Sequence, residues 1–194
     1  MSNIIEWEIP GLDDVKRVTE VGEHEQLIIS PTLNSFHPFR LTLRGRQNPL
    51  KEDMPPVVGD VLHRVDFRNL PEVHGEHPWQ IYFTVSGPGF DNNPMDLLLP
   101  SAFLCGAFAP DGHELTQREL IDLGEAVGLD IDVAYVRVDT KLLTPKRLQM
   151  IADRSVLPNG EPATGIIVRP EEKPTVALRL RNHNWKRKED NAKD

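Results

Sequence analysis

The sequence predicts an α+β fold of antiparallel sheets carrying a few helices. Apolar and polar residues alternate along most of the ordered-looking segments, which is the period of a half-buried strand. Clusters of Gly, Pro, Asn and Asp punctuate them, and seventeen prolines support many short connections. Only three segments carry a helical period, and they do not interleave regularly with the strands. That order excludes a parallel sheet built from repeated βαβ units.

A lead-in over residues 1–25 precedes the first predicted strand, Gln26 to Ser30. In the next, Phe39 to Arg46, the apolar Phe39, Leu41 and Leu43 alternate with Arg40, Thr42, Arg44 and Arg46, so one face is apolar and the other basic. The spacing of Val58, Leu62, Val65 and Leu70 predicts a helix from Val58 to Leu70. Trp79 to Ser86 and Ala102 to Ala109 read as strands joined through Gly87 to Pro94. Thr116, followed three residues later by Glu119, is a capping box; Leu120, Leu123 and Val127 continue at helical spacing and Gly128 closes the helix. A strand from Ile131 to Val138 follows. Thr144 before Pro145 starts a third helix that turns Leu148 and Ile151 inward. After the turn at Pro158-Asn159-Gly160 come two strands, Gly165 to Arg169 and Thr175 to Arg181; on the second, Ala177, Arg179 and Arg181 share a face opposite Leu178 and Leu180. One domain over residues 1–182 is expected, with 183–194 as a flexible, charge-mixed tail.

At 194 residues there is chain enough for one real core. The formal charge of −8, from 22 basic and 30 acidic side chains, provides no general attraction for a polyanion, so any contact with nucleic acid must be local. The single cysteine, Cys105, lies in an apolar run and has no partner for an intramolecular disulfide, which suits a reducing compartment. No secretory h-region and no apolar stretch of membrane-spanning length is present, so the expectation is a cytoplasmic protein without membrane contact.

Three motifs in order carry a family resemblance. Gly87-Pro88-Gly89-Phe90-Asp91-Asn92-Asn93-Pro94, after an apolar strand, resembles the "GPGIQGNP" segment of ATP-dependent RNA ligases. Upstream, Arg46-Gln47-Asn48-Pro49-Leu50-Lys51-Glu52-Asp53 is similar to their "RNLELKED", and downstream Thr164-Gly165-Ile166-Ile167-Val168-Arg169-Pro170 resembles "EGIVVRP". The matches cover residues 26–182 and imply an RNA ligase-like nucleotidyltransferase domain.

The chain departs from the family at the positions that carry chemistry. The lysine of the family's "KxDG" element falls at Pro31, and no lysine occurs between Lys16 and Lys51. The glutamates of "GELVGPG" and "EGIVVRP" align with Thr84 and Thr164, and the lysine of "SFKVIN" aligns with Arg179. Attack on an α-phosphate needs an amine that can be neutral; arginine stays charged and proline offers no nucleophile. Threonine is also a poor ligand for the hard cation two carboxylates would hold.

The resemblance places Arg40, Arg44, Arg46, Arg169, Arg179 and Arg181 along a nucleotide cleft, with Arg46 and Arg179 at phosphate-contacting positions, where guanidinium groups would fork onto phosphate oxygens. The alternative is that these arginines pair with some of the 30 carboxylates. Phe103 or Phe108 aligns near the residue on which ligases stack adenine, against a plain core role for either. His74-Gly75-Glu76-His77 has no evident third metal ligand, and Ser86 sits in no Gly-x-Ser-x-Gly elbow. The expectation is therefore a non-adenylylating pseudoenzyme that needs no cofactor or metal and binds a nucleotide, an RNA end or a protein partner. Two alternatives stay open: a divergent active ligase using Lys51, Lys141 or Lys146, and a scaffold or inhibitory subunit with a filled cleft.

Overall fold

A computed structural model describes residues 4–7, 26–32, 39–49, 56–89, 96–131, 136–172 and 178–185. Within them lie β1 (Ile4–Trp7), β2 (Gln26–Thr32), β3 (Phe39–Leu43), α1 (Pro56–Leu62), β4 (Trp79–Ser86), β5 (Ser101–Phe108), α2 (Gln117–Val127), β6 (Asp130–Ile131), β7 (Val136–Asp139), α3 (Pro145–Asp153), β8 (Gly165–Pro170) and β9 (Leu178–Arg181). They form two sheets, one ordered β1-β3-β4-β5-β6 and the other β7-β2-β8-β9. All pairs are antiparallel except β5 with β6. The fold class is α+β, as the pattern of elements predicts.

The first sheet buries one face. Phe39, Leu41 and Leu43 of β3 meet Trp79, Ile81, Phe83 and Val85 of β4 and Ala102, Leu104 and Ala107 of β5 in one cluster. Val58, Val61 and Leu62 of α1 and Leu120, Leu123 and Val127 of α2 close it from outside. Phe39 stacks on Phe83 with ring centroids 5.5 Å apart, a contact worth about 1 kcal/mol beyond the area it buries. The second sheet has its own smaller cluster, where Leu27, Ile29, Ile166 and Val168 pack under Leu148 and Ala152 of α3. The order of layers is thus helices, sheet, sheet, helix.

Two local expectations are corrected. The stripe from Val58 to Leu70 is buried throughout, but it is not one helix: α1 ends at Leu62, and a 3₁₀ turn forms separately at Phe67–Asn69. Asp66 caps that turn by accepting from the Arg68 backbone N–H, and the Asn48 Oδ1 accepts from Phe67 at 2.7 Å, so side chains satisfy the donors a continuous helix would have used. The basic face expected along β3 stops at Thr42, because Gly45 at φ 83 turns the chain and takes Arg44 and Arg46 out of the strand. Past β9 the chain remains attached, since the His183 N–H donates to Asp153 Oδ1 at 2.8 Å and the Asn184 Nδ2 to the Asp153 carbonyl at 3.1 Å. Strand β1 carried no sequence signal; residues 90–94 of the Gly/Pro/Asn motif lie outside the described residues.

Candidate functional site: the layer between the sheets

The faces opposite the two clusters look at one another. On the first sheet, β-alternation and register bring together Arg40, Tyr82 and Gly106, with Thr84 beside Phe103. On the second, Arg137, Ile28 and Arg169 form one row, and Ser30, Ile167 and Arg179 the next; Gly165 and Arg181 pair beyond them.

Arg169 joins the two faces. The register of β4 and β5 shifts between Tyr82 and Phe83, leaving Cys105 as the extra residue of a bulge. The Cys105 carbonyl accepts from Arg169 Nη1 at 3.2 Å, and Ser30 Oγ accepts from Nη2 at 3.5 Å. Arg169 is only 3% exposed, so it serves as a clasp inside the layer. Ile28, Ser30, Thr84, Phe103 and Ile167 around it are buried as well. These side chains belong to neither apolar cluster and make up a closed layer of their own.

The remaining arginines differ in their commitments. Arg137 pairs with Glu171 at 2.6 Å. Arg40 is half-buried beside its cross-strand neighbour Tyr82, and Arg44 is exposed past the end of β3. Arg46 donates from Nε to the Arg68 carbonyl at 3.0 Å, which ties it to the 3₁₀ turn of the helical side. Its strand pairs Leu43 with Trp79, and Thr84 lies five residues further along β4, roughly 17 Å at strand rise. The guanidinium groups of Arg179 and Arg181 have no hydrogen-bonding or ionic partner among the described residues. They sit two apart on one face of β9, an edge strand. Desolvation by the surrounding protein, and then the positive charge of Arg181, lower the Arg179 pKa below its ordinary value.

The positions aligned with the ligase chemistry are placed as follows. Pro31 pairs with Ile166 on the side of the α3 cluster, Thr84 is buried against the inter-sheet layer, and Thr164 stands at the foot of β8, where its carbonyl accepts from the Asn182 N–H at 2.8 Å. Lys141 follows β7, and Lys146 starts α3, the helix on the far face of its sheet; Lys51 lies outside the described residues. Among the described residues no group of three His, Cys, Asp or Glu side chains is placed to hold a metal ion, His74, Glu76 and His77 included. No helix among them is long and apolar enough to cross a membrane. Sequence reasoning missed the clasp, because a bulge carbonyl and a serine hydroxyl carry no spacing signal.

No protein-family profile and no curated protein matches the chain. Solved structures do. An RNA ligase variant of Naegleria gruberi with ATP and manganese aligns with a TM-score of 0.64 at 12% identity, covering 94% of this chain and 60% of the ligase. The Naegleria gruberi ligase with pyrophosphate gives 0.63 at 11% identity, covering 94% and 59%. A further variant of it, with AMP and manganese, gives 0.63 at 12%, covering 93% and 59%. The chain therefore spans about three-fifths of the length of the ligases it matches. At such identities the likeness is one of architecture, and it establishes that this chain has the α+β fold of the RNA ligase nucleotidyltransferase type.

Proposed function

We propose that the protein is a non-adenylylating relative of the RNA ligases that binds the phosphate groups of a nucleotide or an RNA end. The observation that carries the reading is the Arg179–Arg181 pair. In a chain with 30 acidic side chains, two arginines share one strand face with no carboxylate partner among the described residues, and the pKa of Arg179 is lowered by desolvation and by like charge. A bound anion relieves both costs, and charge-assisted contacts of this kind are worth about 1.5–3 kcal/mol each. Pro31, Thr84 and Thr164 supply neither a nucleophile nor a hard-cation ligand.

Two measurements test this. Incubation with radiolabelled ATP or GTP and a divalent ion is expected to leave no acid-stable label; a labelled band lost on replacing one lysine sinks the reading in favour of an active ligase. Calorimetry with ATP, GTP and 5′-phosphorylated RNA is expected to show EDTA-insensitive, salt-sensitive binding. Replacing Arg179 and Arg181 by alanine weakens it more than about tenfold. A second reading, a scaffold or inhibitory subunit for a protein partner, draws support from the filled inter-sheet layer. Absence of heat with every anion decides for it.

A further inference from the structure

We infer that the anion held at Arg179 and Arg181 is recognised through its phosphates alone, with any base left in solvent, because the clasp of Arg169 has closed the space between the sheets. This rests on the phosphate-binding reading above and adds the ligand class: a polyphosphate-bearing molecule, whatever its base.

Four observations carry it. Arg169 is 3% exposed and spans the layer by donating to the Cys105 carbonyl at 3.2 Å and to Ser30 Oγ at 3.5 Å. Around it Ile28 is 0% exposed, Ile167 5% and Phe103 8%, so the surfaces these side chains would offer a planar base are already covered by this chain's own atoms. Phe103, the ring beside Thr84 in that layer, is buried and has no open face of its own for stacking. Arg179 and Arg181, by contrast, both reach solvent from the edge strand of the second sheet. Two residues on one strand face are about 6.7 Å apart, so each guanidinium can take a different phosphate of a diphosphate unit.

Opening the layer to admit a base would require Arg169, a buried charge, to give up its hydrogen bonds to the Cys105 carbonyl and Ser30 Oγ. That cost opposes base insertion whatever the base, so the closed layer acts on specificity without touching the phosphates.

The test compares sodium pyrophosphate with ATP, GTP, CTP and UTP on the whole chain by calorimetry, and follows 2-aminopurine riboside triphosphate by fluorescence. The expected result is affinities within about threefold of one another, pyrophosphate included, and 2-aminopurine emission unchanged on saturation. A preference of more than about tenfold for one base, or quenching of 2-aminopurine on binding, overturns the inference and leaves the phosphate site standing. No heat with pyrophosphate or any nucleotide overturns the phosphate site itself, and the inference with it.

Discussion

At Gly165 a Cβ would stand 2.0 Å from the Leu180 carbonyl oxygen and 3.0 Å from the Arg181 Cα, so the absence of a side chain there lets β9 approach β8. Both neighbours are backbone and cannot rotate away. Replacing Gly165 with alanine is expected to destabilise the fold by about 1–3 kcal/mol, read as a lower melting temperature, and to weaken anion binding by displacing Arg181. Retention of wild-type stability would show that β9 is more yielding than its register implies. At the start of α2 a different device works. Glu119 accepts from the Thr116 N–H at 2.8 Å and lies 3.0 Å from His113 Nε2. Its own desolvation opposes ionisation, but the bonds from Thr116 and His113 prevail and hold its pKa below the ordinary 4.5. A carboxyl more acidic in the folded state than in the unfolded one stabilises the fold above its unfolded pKa, and that contribution fades as pH falls through the folded value. Urea midpoints at pH 7 and pH 4 are therefore expected to differ more in the wild type than in Glu119→Gln. Equal differences would mean that this carboxylate is not linked to folding.

The elements were legible to different degrees, for reasons that lie in their chemistry. α2 and α3 begin at Thr116 and Thr144 as their capping residues and Pro145 specify, and α2 ends at Gly128 with φ 77. Such signals are local and act within one turn. The helix expected from Val58 to Leu70 is divided because Asn48 and Asp66 capture backbone donors near its middle, and Asn48 is distant in sequence. The basic face of β3 is cut short at Gly45, whose left-handed backbone overrides the alternation. β9 depends on its surroundings more than on its own residues: Gln149 Nε2 donates to the Arg181 carbonyl at 2.9 Å, and Asp153 holds the His183 N–H. Its arginines are accordingly displayed by α3.

On the scale of the molecule, the two sheets have unequal cores. The cluster beneath the first holds Phe39, Phe67, Phe83 and Trp79, while the described residues of the cluster under α3 include no aromatic. Each large apolar side chain fully buried contributes about 1.5–3 kcal/mol, so the first sheet is the more strongly held. Native-state hydrogen exchange is expected to show amides of β3, β4 and β5 opening more slowly than those of β2, β8 and β9. Faster exchange in the first sheet would refute this ranking. The proposed site then stands on the less stable half of the fold, which the Arg169 clasp and the bond from the Gln117 N–H to the Glu171 carbonyl tie to the stronger half.

The sequence by itself determined the fold class, most of the strands, two capped helices and the order of motifs that resemble the ligases, because capping, alternation and turn chemistry are local or lie in linear order. Which arginines are available for binding was decided only by tertiary structure. Arg46 is drawn to the Arg68 carbonyl, Arg137 to Glu171 and Arg169 into the layer between the sheets, and Arg179 and Arg181 are left at the edge. A guanidinium's commitments depend on carbonyls and carboxylates brought near by pairings far apart in sequence, and no spacing within one strand encodes them.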